Sequence, residues 1–167
     1  RSTLFPYTTL FRSSYHKIVS VYLDTNVLMN YCSQQNEEIK IVKYLTDVRY
    51  ENNLYISALS VAQTVSLIQS RKKKSKEEKR LEIDRLQELV KKFTIISLTE
   101  KEIANSFELY NSHSDFVDIE DIIQYSIAKK VKCDAIITHN KSDFAAFVGN
   151  DVKIIDAYLS LIKRNIT

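Results

Sequence analysis

The chain contains the segment Val21-Tyr22-Leu23-Asp24-Thr25-Asn26-Val27-Leu28, in which an apolar run ends at a carboxylate and continues into residues that commonly start helices. This pattern predicts a short β-strand that delivers Asp24 to the carboxyl edge of a sheet. Open α/β folds bind their ligands at that edge. Asp24 is therefore the first candidate functional residue.

Two later segments repeat this arrangement. A predicted helix over 118–131 begins with Asp118 and Asp121 on one face, and its Glu120 is expected to point away from that face into solvent. A predicted strand over 135–137 runs into a polar segment that contains Asn140 and Asp143. The chain has a single Gly and no phosphate-binding loop. Acids at several strand ends then indicate a divalent cation rather than a nucleotide.

Strand-like and helix-like segments alternate from residue 15 onward. We predict strands over 18–23, 54–56, 93–98, 135–137 and 152–155, and helices over 25–31, 37–50, 57–70, 77–92, 99–111, 118–131 and 156–163. We expect Thr25 or Asn26 to cap the first helix and Asp156 to cap the last. The alternation predicts an α/β protein, a three-layer α/β/α sandwich with a central, mostly parallel sheet.

The composition is that of a soluble globular protein, with 167 residues, 44% hydrophobic and 27% charged. No apolar stretch is long enough to cross a membrane. The two cysteines, Cys32 and Cys133, lack metal-site spacing and fit a reducing, cytoplasmic location. Residues 1–14 repeat Thr-Leu-Phe and are expected to be a non-native, adapter-derived tail, which leaves 15–167 as one domain.

Each candidate also has a purely structural interpretation. Asp24 and Asp118 can cap helices, and Asp121 can complement a helix dipole. The basic run over 71–76 is expected to be a solvated loop. Phosphatases with an aspartyl nucleophile begin in a similar way, but they need a second Asp where this chain has Asn26. The residues alone therefore leave open a cation site, helix capping alone, and a phosphatase.

Taken together, the motifs resemble the PIN-domain family, in particular its VapC-like ribonuclease toxins, over about residues 17–162. Residues 23–28 are similar to the first family motif, which carries a metal-binding Asp at the position of Asp24. Residues 118–124 are similar to the third, in which Asp121 matches the family acid and Asp118 is an auxiliary carboxylate. Residues 136–144 are similar to the fourth, which includes Asn140 and Asp143.

The resemblance implies a metal-dependent endoribonuclease that hydrolyses RNA, the toxin of a toxin–antitoxin pair. It implies Mg²⁺ or Mn²⁺ as cofactor, and RNA, a small antitoxin and a second copy of the chain as partners. By this resemblance the catalytic and metal-binding acids are Asp24, Asp121 and Asp143, Asp118 is a further ligand, the supporting residues are Thr25, Asn26, Gln63 and Asn140, and Lys141 contacts substrate.

One position departs from the family pattern. The family usually supplies a Glu on the helix after the second strand, where this chain has Gln63. An amide lacks the negative charge but can still hydrogen-bond a water that a metal holds. The departure motivates an alternative function, a catalytically weakened PIN module that binds RNA or a protein partner.

Overall fold

The computed structural model describes residues 18–47, 53–113, 118–147 and 151–166, so the expected tail over 1–14 lies outside the described residues. Within these ranges the strands are β1 (Val21–Leu23), β2 (Leu54–Ser57), β3 (Thr94–Ile96), β4 (Ala135–Thr138) and β5 (Lys153–Asp156). The α-helices are α1 (Thr25–Cys32), α2 (Asn36–Asp47), α3 (Ala58–Ser70), α4 (Lys76–Val90), α5 (Glu100–His113), α6 (Ile119–Lys130) and α7 (Leu159–Ile166), and a 3₁₀ helix spans Lys141–Phe147.

The five strands form one sheet in the order β3-β2-β1-β4-β5, and all four pairings are parallel. The chain builds outward from β1 in both directions, first to β2 and β3 and later to β4 and β5. Such a reversal opens a crevice at the carboxyl ends of the central strands. The predicted class, an α/β/α sandwich around a parallel sheet, is confirmed.

Both faces of the sheet are covered, which explains why its strands are apolar at successive positions. Val21 and Leu23 of β1 bury against α1, α2 and α7, in a core that includes Leu45 and Ile162. Tyr22 points to the opposite face, where it packs with α6 and the 3₁₀ helix. Each fully buried large side chain of this kind contributes about 1.5–3 kcal/mol.

Side-chain oxygens determine where several helices begin. Asp24, rather than Thr25 or Asn26, is the N-cap of α1, and its carboxylate accepts the N–H of Thr25 at 2.5 Å. Ser57 caps α3 by accepting the N–H of Ser60 at 2.9 Å. Asp24 directly follows β1, and Ser57 is the last residue of β2. The helices α1 and α3 therefore both begin at the carboxyl edge of the sheet.

The prediction that Asp156 caps the last helix is wrong. Asp156 is the final residue of β5, and α7 begins three residues later at Leu159. The N–H of Leu159 instead donates to Glu37 Oε1 of α2 at 2.7 Å. A carboxylate that is distant in sequence therefore satisfies this helix start, which local spacing does not reveal.

The basic run over 71–76 is solvated only in part. Lys72 and Lys73 are exposed. Arg71 and Lys74 turn toward Glu82 of α4, whose side chain is only 2% exposed. Arg71 Nη1 lies 3.2 Å from Glu82 Oε1, and Lys74 Nζ contacts the same oxygen. We refer to Arg71, Lys74 and Glu82 as the paired corner.

None of the helices within the described ranges is long and apolar enough to cross a lipid bilayer.

Candidate metal centre

A cavity of about 430 Å³ opens at the carboxyl edge of the sheet, between α1, α3 and α6. Three carboxylates line it, those of Asp24, Glu120 and Asp121. Its other polar side chains include the amides of Asn26, Asn30, Gln63, Gln124 and Asn140. We call this space, together with the three carboxylates, the acid cavity.

Strand pairing fixes the position of Asp24. Leu23 of β1 pairs with Ile137 of β4, and the N–H of Asp24 donates to the Ile137 carbonyl at 3.1 Å. This register sets the Asp24 carboxylate beside Thr138, whose hydroxyl donates to Oδ2 at 2.6 Å. Asn26 Nδ2 donates to the same oxygen at 2.6 Å. The orientation of the Asp24 side chain is therefore strongly constrained.

Asp24 is almost completely buried, with 3% of its surface exposed. Burial raises the pKa of its carboxyl group above the ordinary value, and the nearby Asp143 raises it further. Hydrogen bonds from Thr138, the Thr25 backbone and Gln124 act in the opposite direction, because they favour the ionised form. Among the residues that the structure describes, this buried carboxylate has hydrogen-bond donors but no salt-bridge partner.

Asp121 lies in the first turn of α6 and is partly buried. Burial, followed by the negative charges of Asp24 and Asp143, raises the pKa of its carboxyl group to about 7. Asp118 and Glu120 contribute smaller increases of the same sign. Among the described residues its carboxylate has no salt-bridge partner, and the charged neighbours that raise its pKa are all acids.

The 3₁₀ helix after β4 brings Asp143 close to these two acids. The N–H of Asp143 donates to the Asn140 carbonyl at 3.0 Å, and the N–H of Asn140 donates to Thr138 Oγ1 at 2.9 Å. Asn140 lines the acid cavity, whereas Asp143 stands outside its lining but acts electrostatically on both Asp24 and Asp121.

Besides Asp143, two other sequence-predicted site residues lie outside the cavity lining. Asp118 is the exposed N-cap of α6, and its Oδ1 accepts the N–H of Glu120 at 3.1 Å. Lys141 is exposed at the start of the 3₁₀ helix. The capping role of Asp118 is visible in the structure, while its role as a ligand and that of Lys141 as a substrate contact stay predictions.

Glu120 does not point away from the site. Gln63 Nε2 of α3 donates to Glu120 Oε2 at 2.5 Å, and Gln63 Oε1 accepts the hydroxyl of Thr25 at 2.9 Å. Glu120 is exposed, as expected, but helical spacing within α6 carries no information about its partner on α3. Gln63 therefore links α1, α3 and α6 across the cavity.

Sequence reasoning assigned no role to two polar residues of the site, Thr138 below the cavity and Gln124 in its lining. Thr138 is fully buried and joins Asp24, Asn26 and Asn140 through its hydroxyl. Gln124 is buried, and its hydrogen bond to Asp24 lowers the pKa of that carboxyl group. The spacing of three residues from Asp121 to Gln124, which places both on one helix face, is the signal that points to Gln124.

The protein-family model described as "PIN domain" matches residues 21–149 of this chain, a range that contains every acid of the site. The chain belongs to the PIN-domain family. The resemblance predicted from the sequence motifs is confirmed.

A curated relative of this PIN domain is "Ribonuclease VapC1" of Aquifex aeolicus (strain VF5), which is 31% identical over 81 residues, or 48% of this chain and 54% of the relative. The matched part thus spans about half the length of that relative.

Solved structures share the fold. A "Toxin-antitoxin complex from Klebsiella pneumoniae" has a TM-score of 0.61 and 21% identity over 83% of this chain and 98% of that chain. Mycobacterium tuberculosis VapC20, described as a "Sarcin-Ricin loop cleaving toxin", has a TM-score of 0.59 and 14% identity over 80% of this chain and 99% of that chain.

The donor set of this PIN domain suits a hard cation. The lining supplies carboxylate and amide oxygens, which Mg²⁺ and Mn²⁺ prefer, and no thiolate. His139 directly follows β4, and its Nε2 pairs with buried Glu38. Across residues 18–47, 53–113, 118–147 and 151–166, no three Asp, Glu, His or Cys side chains are grouped at metal-binding spacing. The acids act electrostatically on one another, since Asp24 and Asp143 both raise the pKa of Asp121.

Proposed function

We propose that this protein is a Mg²⁺- or Mn²⁺-dependent endoribonuclease, the toxin of a toxin–antitoxin pair. One observation carries the proposal: Asp24 and Asp121 face a common cavity at the carboxyl edge of the sheet, and the described part of the chain offers neither of them a cationic partner. Carboxylates buried without a counter-ion are costly unless a cation accompanies them.

The proposed division of roles follows the contacts. Asp24, Asp121 and Asp143 hold the cation, and Asp118 acts as an auxiliary carboxylate at the rim. Asn26 and the backbone N–H of Thr25 orient Asp24 directly, and the hydroxyl of Thr25 donates to Gln63. Asn140 is joined to the same network through Thr138. When bound, the cation supplies charge neutralisation at the scissile phosphate and lowers the pKa of an attacking water.

The reaction itself is hydrolysis of a phosphodiester bond. Water adds to phosphorus in line with the leaving 3′ oxygen, the water loses a proton, and the leaving oxygen gains one. The chain contributes orientation, because the carboxylate of Asp24 is fixed by hydrogen bonds from Thr25, Asn26 and Thr138. The N-termini of α1 and α6 lie at the cavity, and their positive dipole ends favour an approaching phosphate. Lys141 is proposed as a phosphate contact.

The partners follow from the relatives. A structure with the same fold is described as a toxin–antitoxin complex, which supports a small antitoxin as the partner. Another is described as cleaving the sarcin–ricin loop, which supports a structured RNA as the class of substrate. A homodimer stays an expectation from the family resemblance, and a cytoplasmic location stays a prediction of the sequence.

The test is an RNA cleavage assay on the full chain with a structured RNA and Mn²⁺. We expect cleavage that EDTA stops and that Asp24→Ala reduces by at least about a hundredfold, since even residues that only contact metal ligands cost 10- to 100-fold. Asp84→Asn is the matched control, because it removes one exposed negative charge from α4 and should leave the rate unchanged.

Two results would contradict the proposal. Cleavage that persists in EDTA and in Asp24→Ala would exclude this acid cavity as the active site. Binding of RNA that needs no Mn²⁺, with no turnover at any Mn²⁺ concentration, would instead support the weakened PIN module.

A further inference from the structure

Glu120 occupies an unusual place for an exposed side chain. It lies in the first turn of α6, next to Asp121, and it lines the acid cavity. Its Oε2 accepts a 2.5 Å hydrogen bond from Gln63 Nε2, which comes from a residue 57 positions earlier in the chain. A solvated carboxylate needs no such partner, so the contact calls for an explanation.

The orientation of the Gln63 amide has one chemically acceptable solution. Glu120 offers only acceptor oxygens, so the amide must present its NH₂ group to Glu120. The amide oxygen then faces Thr25, whose hydroxyl donates to it at 2.9 Å. Gln63 is therefore held at both ends, and it holds Glu120 over the cavity rather than leaving it free to rotate.

The Glu120 carboxylate retains capacity to bind a further group. An ionised carboxylate has about four acceptor positions. Gln63 occupies one of them, and no salt bridge of the described residues involves Glu120.

We propose that Glu120 supplies a carboxylate to the cation site and that Gln63 is the residue that positions it. The negative charge that an acid on α3 would contribute is provided from α6 in this chain, across a hydrogen bond between the two helices. This inference rests on the proposed function, because it assigns a residue to the cation site of that function.

The test exchanges the carboxylate of Glu120 and the amide of Gln63 between the two positions. Mn²⁺ affinity is measured by titration calorimetry on the full chain, for the wild type, Glu120→Gln and the double variant Gln63→Glu/Glu120→Gln. We expect Glu120→Gln to weaken binding by about tenfold. The double variant should return to within about threefold of the wild type, since it restores both the charge and the amide–carboxylate hydrogen bond in exchanged positions.

The single variant Gln63→Glu provides a second measurement. It opposes two carboxylates at hydrogen-bonding distance, so the melting temperature in EDTA should fall, and adding Glu120→Gln should restore it. Asp84→Asn, which removes one exposed charge, serves as the control for net charge and should leave Mn²⁺ affinity within about twofold of the wild type.

The outcomes separate this inference from the proposed function. If Asp24→Ala abolishes Mn²⁺ binding while Glu120→Gln leaves it unchanged, only the role of Glu120 is overturned. A double variant as weak as Glu120→Gln also overturns it. If Asp24→Ala and Asp121→Ala both bind Mn²⁺ as the wild type does, the proposed function falls as well.

Discussion

The acid cavity and the paired corner solve the same electrostatic problem in opposite ways. Glu82 is buried between α3 and α4, and Arg71 and Lys74 both turn inward to contact it. Asp24 is buried to a similar degree, yet within the described ranges its contacts are hydrogen-bond donors and other acids. The chain therefore neutralises one buried carboxylate with its own side chains and leaves the other without a counter-ion.

This difference distinguishes an acid that is paired within the fold from one that is a candidate for function. A buried charge is expensive, and an internal partner or an external cation can offset the cost. At the paired corner the partner is internal, so the acid needs nothing from solution. In the acid cavity the negative charge of the carboxylates is not balanced by a cationic side chain of the described residues, which supports an external cation as the missing charge.

The largest effect is expected at the paired corner. The double variant Arg71→Met/Lys74→Met leaves Glu82 buried without a partner, which should lower the free energy of unfolding by about 3 kcal/mol. Urea denaturation measures this loss. Lys72→Met/Lys73→Met removes two exposed charges from the same run and should change stability by less than about 0.5 kcal/mol. Equal losses in both variants would show that Glu82 is not held by these cations.

A smaller loss of folding stability is expected from a substitution below the acid cavity. Thr138→Val keeps the side-chain shape but removes the hydroxyl that donates to Asp24 at 2.6 Å and accepts from Asn140 at 2.9 Å. We expect a loss of about 2 kcal/mol in EDTA, because the lost hydrogen bond is to a charged group. Thr46→Val is the control, since that hydroxyl bonds only carbonyls of its own helix. A loss no larger than that of the control would contradict this account of Asp24.

Removing an acid from the cavity should stabilise the protein, whereas the two substitutions above should destabilise it. Folding raises the Asp121 pKa from 3.8 to about 7, so this carboxyl favours the folded state at low pH and that stability is lost as the pH rises through about 7. In EDTA at pH 8, Asp121→Asn should therefore stabilise the protein by about 1–2 kcal/mol, after allowance for its partial exposure.

Thermal unfolding between pH 4 and pH 8 checks this sign. The stability difference between Asp121→Asn and the wild type should grow across that window. A variant that is destabilised equally at both ends would show that the cavity does not carry unbalanced charge.

The smallest effect concerns a helix start beside the paired corner. Ser75 caps α4 by accepting the N–H of Glu78 at 3.2 Å, and the Glu78 carboxylate accepts the N–H of Ser75 at 2.7 Å. Ser75→Ala should cost about 1 kcal/mol, as the loss of an N-cap commonly does. Mn²⁺ affinity should not change, and a change would mean that the two regions are coupled.

The sequence was sufficient for the framework and for part of the site. Apolar runs bounded by polar residues placed the strands to within a few residues, because burial on both faces of a parallel sheet requires such runs. Asp24 follows β1, as the strand-end rule predicted, and Asp121 was expected to join it; both line one cavity, although Asp121 opens α6, which follows α5 in the described chain. The first fourteen residues lie outside the described ranges, so their expected non-native origin stays a prediction.

The errors share one physical cause. The contact of Glu120 with Gln63 was not predicted and Asp156 was expected to cap a helix, and in both cases the deciding partner is far away in sequence. Periodicity reports neighbours three or four residues apart on one helix. It contains no information about a Gln on α3 or a Glu on α2, whose positions depend on how the helices pack.

The unbalanced charge of the acid cavity has a consequence for the lifetime of the protein. If a divalent ion relieves the repulsion among these acids, the ion also favours the native over the unfolded chain by mass action. Resistance to heat and to proteases would then depend on ion supply, and magnesium or manganese starvation would reduce the number of intact copies as well as the rate of each one.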